Sequence, residues 1–174
     1  MTFVETGTFT GKTTEIASRI FKSVYTIELG KDLFQKVRKK FEGTKNITCL
    51  EGESSHVLAK LIPKITEDAI FFLDAHWAGE LSVKGNLDSP LMEELTILSK
   101  RNVTNQDLII IDDVGFFNKK SSIFYPNPKA DSLYFPNGGL FEWDWKHIDK
   151  QKVLDLFPGK KSVEMDDRLF IGVR

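Results

Sequence analysis

Residues 1–14, MTFVETGTFTGKTT, decide how the rest of the chain is interpreted. An apolar segment predicts a first strand over residues 3–6, and a loop with Gly7 and Gly11 follows it. A helical pattern then begins at Lys12. A strand, a glycine-containing turn and a helix in this order are typical of nucleotide binding, because glycines let a ligand approach the main-chain N–H groups at the helix start.

The rest of the chain alternates between short apolar segments and amphipathic helical patterns. The further strands predicted before residue 113 are residues 24–28, 47–50, 69–74 and 108–112. Apolar strands that alternate with helices indicate an α/β fold with a doubly wound sheet covered on both faces. Two closing strands, at residues 162–165 and 169–173, complete a predicted seven-stranded, mostly parallel, Rossmann-like sheet with an antiparallel closing strand.

This alternation stops at residues 115–145, within what is predicted to be a single domain of residues 1–174. The segment has little periodicity but carries many aromatic residues: Phe116, Phe117, Phe124, Tyr125, Tyr134, Phe135, Phe141, Trp143 and Trp145. The aromatic content argues against disorder, and long loops inside compact domains are often functional. The segment is therefore expected to be an aromatic-rich insert, either a substrate lid or an irregular loop that packs over a helix.

The bulk composition narrows the choice of partners. Lys plus Arg number 24 and Asp plus Glu number 25, so the net charge of -1 gives no electrostatic case for nucleic acid or an anionic membrane. No apolar run approaches the roughly 20 residues that span a bilayer. The single cysteine, Cys49, and the lack of a leader pattern predict a reducing, cytoplasmic location. A small-molecule substrate is the expected partner, and a homo-oligomer stays open.

Polar residues follow each predicted strand at its carboxyl end, where open parallel sheets bind ligands. Glu28, about twenty residues after the glycine loop, is suited to accept both hydroxyl groups of a ribose. In chain order the five strand ends carry Glu5, Glu28, Gly52-Glu53-Ser54-Ser55, Asp74-Ala75-His76 and Asp112-Asp113.

One interpretation of these residues is a P-loop NTPase. Gly11-Lys-Thr13 matches the end of that motif, and the acidic strand end at Asp112 would hold magnesium. The motif also needs a glycine at the position of Thr6, however, and the nearest glycine leaves the loop one residue short. This interpretation also gives Glu28 no role, so it is the less favoured alternative.

The second interpretation rests on a resemblance to class I S-adenosylmethionine-dependent methyltransferases. Glu5-x-Gly7-x-x-x-Gly11 resembles the first motif of that superfamily, with Phe9 in place of the usual middle glycine. Glu28 matches its ribose-binding acid, and residues 52–54 are similar to its adenine-side motif. Residues 72–77, 84–90, 93–95 and 111–113 further resemble the macrocin O-methyltransferase-like branch, so that the resemblance covers roughly residues 3–117.

This resemblance implies S-adenosylmethionine as the cofactor. The residues that would hold it are Glu5, Gly7, Thr8, Phe9, Thr10, Gly11, Glu28, Glu53, Ser54 and Asp74.

A magnesium ion is also implied, because metal-dependent relatives hold one with acids that correspond to Asp74, Asp112 and Asp113. Three carboxylates on adjacent strand ends would repel one another unless a cation neutralised them, and hard oxygen ligands suit Mg²⁺. Calcium or manganese would meet the same requirement. In the alternative interpretation Asp112 or Asp113 caps a turn, and Asp74 binds only the methionine amino group of the cofactor.

His76 is the predicted catalytic base, together with Asp74. It lies two residues after Asp74, hence on the same face of the strand, and an unperturbed imidazole pKa suits proton removal near neutral pH. The sequence thus predicts an O-methyltransferase that acts on a small hydroxylated molecule such as a sugar or a natural product. The alternative is a degenerate member of the fold that binds a nucleoside-like ligand without catalysis.

Overall fold

A computed structural model of the chain describes residues 1–77, 79, 82–101, 106–125 and 138–173. The strands are β1 (Thr2–Thr6), β2 (Ser23–Glu28), β3 (Ile47–Glu51), β4 (Ala69–Leu73), β5 (Leu108–Ile111), β6 (Lys120–Tyr125), β7 (Gly139–Asp144), β8 (Ser162–Met165) and β9 (Arg168–Ile171). The α-helices are α1 (Lys12–Ser18), α2 (Lys31–Lys40), α3 (Ser54–Leu61), α4 (Leu91–Ser99) and α5 (Lys150–Asp155). Short 3₁₀ turns lie at Ile62–Lys64 and Val114–Phe116.

Seven strands form one sheet in the order β3-β2-β1-β4-β5-β9-β8. The first five strands in this order pair in parallel, and β9 runs antiparallel to both of its neighbours. The predicted seven-stranded, mostly parallel α/β sheet with an antiparallel closing strand is therefore confirmed. No helix in the described ranges has the length and apolarity needed to cross a membrane.

The central strand β1 shows why both faces of the sheet are covered. All five of its residues are buried, and successive side chains point to opposite faces. Phe3 packs with Ala17 of α1 on one face. Val4 belongs to a larger cluster on the other face, together with Leu58 of α3 and Leu95 of α4. The continuous apolar pattern of β1 is that of a parallel strand buried on both sides.

The position of β1 also fixes where a ligand can bind. The chain runs outward from β1 to β3 on one side and from β4 to β5 on the other. The strand order therefore reverses between β1 and β4, and the connections that leave the carboxyl ends of these two strands diverge there. Such a switch point leaves a crevice at the carboxyl ends of the strands, which is where open α/β sheets bind ligands.

The segment of residues 115–145, expected to be an aromatic-rich lid or irregular insert, contains two strands in its described part, whereas its role as a substrate lid stays a prediction. Strands β6 and β7 pair antiparallel in a separate two-stranded ribbon. Phe141 and Trp143 of β7, and Trp145 just after it, are buried in the main core cluster, whereas the residues between them are exposed. This alternation has the period of a strand, and the dense aromatic content of the segment concealed it. Tyr134 and Phe135 lie outside the described residues.

Candidate functional site

A cavity of about 330 Å³ opens at the carboxyl ends of the parallel strands. Its volume lies within the range of small-molecule sites. Nine of the thirteen residues that the sequence predicted for the site line it: Gly7, Phe9, Glu28, Glu53, Ser54, Asp74, His76, Asp112 and Asp113. The structure therefore brings together residues from all five strand ends in one place.

Four predicted residues, Glu5, Thr8, Thr10 and Gly11, are not among those that line this cavity. Glu5 is 2% exposed, and its carboxylate accepts hydrogen bonds from Thr14 and, at 2.7 Å, from Thr26. Burial raises the pKa of Glu5 to about 7, and the two threonine hydroxyls lower it. The Glu5 side chain therefore binds buried threonine hydroxyl groups beside the loop and does not face the cavity.

The other three residues support the same loop or face elsewhere. Thr8 is buried, and its hydroxyl group pairs with that of Thr26. Thr10 lines a separate surface pocket beside α2. Gly11 precedes α1 in the left-handed conformation, with φ of 72°. Thr8, Thr10 and Gly11 therefore do not line the cavity, and their predicted part in holding the cofactor stays a prediction.

The backbone of the loop after β1 has positive φ at Gly7 and Phe9, in addition to Gly11. Gly7 has φ of 82°, and a Cβ atom there would lie 2.3 Å from the main-chain oxygen of Asp74. Only glycine fits such an approach. Phe9, which stands where the resembling motif has its middle glycine, has φ of 47°. Phe9 therefore keeps a glycine-like backbone, while its side chain forms part of the cavity wall.

Glu28 ties this loop to the end of β2. Its Oε2 accepts a hydrogen bond from the Phe9 main-chain N–H at 2.8 Å, and its Oε1 accepts one from the Gly30 N–H at 2.8 Å. A carboxylate has about four lone-pair positions. The side chain is thus held in place and still has acceptor capacity for hydroxyl groups in the cavity.

The loop does not have the organisation of a P-loop. The main-chain N–H groups of Gly7, Thr8 and Gly11 donate to carbonyl oxygens of the protein. The carbonyl oxygens of Thr10 and Gly11 face Lys40 Nζ at 3.1 and 3.4 Å. A P-loop instead directs its N–H groups at a phosphate. These contacts argue against the P-loop alternative.

Across the cavity from Glu28, His76 lies between two carboxylates. His76 Nδ1 is 3.3 Å from Asp74 Oδ1, and His76 Nε2 is 3.2 Å from Asp113 Oδ2. A neutral imidazole donates only one N–H. A hydrogen bond at each contact would therefore require two protons among the three groups, and we call Asp74, His76 and Asp113 the proton-sharing cluster.

Burial governs the protonation of this cluster. It raises the pKa of Asp74 to about 8, with further increases from the charges of Asp112 and Asp113. Burial lowers the pKa of His76, against the opposing effect of the two nearby acids, and raises the pKa of Asp113. A neutral His76 imidazole is therefore favoured near pH 7, and it does not cancel the negative charge of the neighbouring carboxylates.

Asp112 has a partner that the sequence did not predict. Arg168 at the start of β9 approaches it through Nε at 3.1 Å from Oδ1 and through its terminal nitrogen at 3.3 Å from Oδ2. The carboxylates of Asp74 and Asp113 instead come within 4.8 Å of a His76 nitrogen, as a possible set of metal ligands. Of the three carboxylates predicted to hold a metal ion, Asp74 and Asp113 therefore lie close to His76, whereas Asp112 is paired with Arg168.

Sequence reasoning also missed the apolar wall of the cavity. Leu29 and Leu33 follow Glu28 on one side, and Val83 and Leu87 face the cavity from the segment that precedes α4. The position of Leu29, directly after the predicted ribose-binding acid, was an available signal. Nothing in the local pattern marked Val83 or Leu87, because their place in the cavity depends on how that segment folds back.

No known protein family and no curated protein matches this sequence. Solved structures match the fold. A putative caffeoyl-CoA O-methyltransferase from Staphylococcus aureus is 17% identical, with a TM-score of 0.51 over 98% of this chain and 74% of that one. An O-methyltransferase from Bacillus cereus in complex with SAH is 16% identical, with a TM-score of 0.53 over 98% and 72%.

A third similar structure is the glycopeptide N-methyltransferase MtfA, which is 8% identical, with a TM-score of 0.54 over 98% of this chain and 81% of that one. At such identities the likeness concerns the fold. The chain therefore has the Rossmann-like fold found in S-adenosylmethionine-dependent methyltransferases. Since both O- and N-methyltransferases have it, the fold leaves the acceptor atom open.

Proposed function

We propose that this protein is an S-adenosylmethionine-dependent methyltransferase of the macrocin O-methyltransferase-like branch. Its acceptor would be a hydroxyl group of a small molecule such as a sugar or a natural product. One observation carries the proposal: a single cavity has Glu28 at one end and the proton-sharing cluster of Asp74, His76 and Asp113 at the other. A nucleoside-binding acid and a proton acceptor are the two groups that this reaction requires.

The cofactor would lie along the strand ends. Glu28 would accept the ribose hydroxyl groups, and Leu29 and Leu33 would pack against the adenine ring. Gly7 lines the cavity, and its close contact with the Asp74 carbonyl group, which leaves no room for a side chain, would hold the loop main chain beside the cofactor. Asp74 would bind the amino group of the methionine part.

Three further predicted residues belong to the same proposal. Glu53 and Ser54 line the cavity next to the end of β3, on the side expected for the adenine base. Phe9 adds an aromatic surface to the wall.

His76 would act as the base. S-adenosylmethionine supplies a methyl group that is already activated as a sulfonium, so that the protein needs to align the acceptor and remove its proton. The lowered pKa of His76 keeps its imidazole free to accept that proton near pH 7. Asp113, 3.2 Å from Nε2, would stabilise the imidazolium that results.

The chemistry of the donor set also fits a divalent cation such as Mg²⁺. Asp74 and Asp113 offer carboxylate oxygens, the ligands that such ions prefer. Burial raises the pKa of Asp74 most, and the charges of Asp112 and Asp113, which a cation would offset, raise it further. Asp74 and Asp113 would hold the ion, and Asp112 would have to leave Arg168 to join them. A bound ion would orient the acceptor oxygens and favour their ionised form.

Thermal melts with S-adenosylmethionine, S-adenosylhomocysteine and ATP–magnesium test the proposal. The first two ligands should stabilise the protein, by about 2.7 kcal/mol at 100 times the dissociation constant. Stabilisation by ATP–magnesium alone would overturn the cofactor assignment. Binding of both adenosyl ligands without methyl transfer to any hydroxylated acceptor would favour the degenerate alternative.

A further inference from the structure

A much smaller cavity, of about 10 Å³, lies beside the proton-sharing cluster. Its walls include Asp74, His76 and Asp112 together with Glu94 of α4 and Trp145. A volume of roughly 10–15 Å³ is what one water molecule requires. The size of this cavity therefore excludes an organic ligand and admits a single water.

Two side chains that line this cavity are almost completely buried. Glu94 is 1% exposed and Trp145 is 2% exposed. Within the described part of the chain, neither Glu94 Oε1 nor Trp145 Nε1 has a hydrogen-bond partner. Native proteins pair nearly all such atoms with protein groups or with ordered water. An unpaired acceptor and an unpaired donor on two residues that line the same one-water cavity indicate what the cavity holds.

The donor at this site argues against a metal ion. Trp145 Nε1–H can only donate a hydrogen bond, so its positive end would repel a cation. A water molecule can accept that hydrogen bond and donate one of its own to Glu94 Oε1. One hydrogen-bond donor and one lone pair then remain on the water for groups of the proton-sharing cluster.

Glu94 also connects this cavity to the proposed cofactor side. The hydroxyl groups of Ser54 and Thr6 face its carboxyl group, although neither reaches hydrogen-bond geometry with it. Burial raises the pKa of Glu94 to about 7, and these two hydroxyls lower it. Ser54 lines the large cavity. The Glu94 carboxyl group is thus adjacent both to the small cavity and to a residue that lines the large one.

Trp145 contacts the cluster directly as well. Its ring meets the His76 imidazole in an edge-on arrangement, with the ring centroids 5.5 Å apart. His76 therefore contacts Asp74 and Asp113 through its two ring nitrogens and packs against the Trp145 ring. A change at Trp145 would reach His76 both through this contact and through the small cavity.

We propose that the small cavity binds one ordered water molecule that accepts a hydrogen bond from Trp145 Nε1 and donates one to Glu94 Oε1. Glu94 and Trp145 are then positioning residues for the Asp74–His76 pair. The water site follows from the two cavity walls alone. The positioning role rests on the proposed function, because it concerns the residues that would deprotonate the acceptor.

The water site is tested by high-resolution crystal structures of the wild-type protein and two variants. Trp145→Phe removes the donor and keeps an aromatic ring, and we expect the water to be lost or displaced. Trp143→Phe is the matched control, since Trp143 is also buried but donates to the Trp77 carbonyl group at 3.1 Å. We expect its water to be unchanged. A dry cavity in the wild-type protein overturns the proposal.

The positioning role is tested with Glu94→Gln and Glu94→Leu. Both variants should bind S-adenosylhomocysteine within about threefold of wild type, whereas only Glu94→Leu should lose roughly tenfold or more in kcat at unchanged acceptor KM. The ¹⁵N NMR signals of His76 should shift in Glu94→Leu and in Trp145→Phe but not in Trp143→Phe. Unchanged His76 signals would overturn the role. Because these signals need no cofactor, they separate it from a failure of the proposed function.

Discussion

Three residues of the loop after β1 have left-handed backbone angles, and two of them, Gly7 and Phe9, have them for different reasons. Gly7 has no room for a Cβ atom next to the Asp74 carbonyl group. Phe9 has a Cβ atom, so its positive φ is a local strain of roughly 1–2 kcal/mol. Its side chain forms part of the cavity wall. The hydrogen bond from its N–H to Glu28 holds this conformation. Phe9 therefore replaces the middle glycine of the motif but keeps a backbone conformation that is typical of glycine.

Gly7→Ala should destabilise the protein by about 2–4 kcal/mol, because it adds left-handed strain and a clash with main-chain atoms. Gly43→Ala is the matched control. Gly43 has nearly the same φ, 83°, but a Cβ atom added there would meet nothing within 4 Å. Its cost should be about 1 kcal/mol. Urea unfolding measures both, and equal losses would show that the Asp74 contact is unimportant.

Glu5 should make stability depend on pH. Its pKa is raised from 4.5 to about 7, so between these values the folded state holds a proton that the unfolded chain has released. Stability therefore falls as pH rises through this window, by up to about 3 kcal/mol. In Glu5→Gln this fall should be smaller. The exposed Glu42→Gln is the control for urea unfolding at a series of pH values, and an identical slope in Glu5→Gln would contradict the prediction.

At the scale of elements, β9 determines the charge of the site. It is inserted antiparallel next to β5 and places Arg168 against Asp112. The order β5-β9-β8 thus brings a cation from the end of the chain to a strand end predicted to be wholly acidic. A cation supplied by the fold reduces the need for a metal ion at Asp112.

Arg168→Ala should increase the affinity for Mn²⁺, used as a probe for Mg²⁺, by about tenfold, because Asp112 becomes free to join Asp74 and Asp113. Asp112→Asn should leave the affinity of the otherwise wild-type site nearly unchanged, whereas Asp113→Asn should reduce it. Titration calorimetry measures all three variants. A large loss of affinity in Asp112→Asn would restore the three-carboxylate set predicted from the sequence.

The segment before α4 is held to the β6–β7 ribbon by Asp88. This buried carboxylate pairs with Lys84 Nζ at 2.6 Å and accepts the Asp144 main-chain N–H at 2.7 Å. Asp88→Ala should cost about 1–3 kcal/mol, because it leaves a partly buried N–H without its acceptor. Lys84→Ala should cost less than about 1 kcal/mol, since the lysine is half exposed. Equal costs, measured by urea unfolding, would contradict this division.

At the scale of the whole molecule, the site exists because the strand order reverses between β1 and β4. Glu28 from β2 and the cluster from β4 and β5 are brought to opposite ends of one cavity by this topology. The separation places Glu28, the proposed nucleoside-binding acid, away from the proton-sharing cluster. A cofactor that spans the cavity would therefore present its reactive end to the cluster.

Glu28→Gln should remove most of the stabilisation by S-adenosylmethionine, because an amide cannot accept both main-chain hydrogen bonds that position the side chain. A hundredfold weaker affinity would reduce the stabilisation from about 2.7 to about 0.4 kcal/mol at the same ligand concentration. Glu51→Gln is the control, since Glu51 is exposed and pairs in register with Glu28 across β2 and β3. Equal melting shifts in the two variants would contradict the assignment of Glu28.

The sequence by itself determined the alternating strands and helices, the antiparallel closing strand and the strand-end position of Glu28, Asp74 and His76. These features follow from periodicity and from the rule that parallel strands share one ligand-binding edge. The ribbon of β6 and β7 was missed because aromatic residues dominate its pattern, although the alternation of Phe141 and Trp143 with exposed residues was present.

Only the tertiary structure decided which polar side chains meet. Arg168 reaches Asp112 from 56 residues away, Glu5 turns into a buried threonine pocket instead of the cavity, and Glu94 and Trp145 converge on a space for one water. Local pattern cannot specify such pairs, because the protonation and role of a buried polar group depend on neighbours that are distant in the chain and are assembled only by packing.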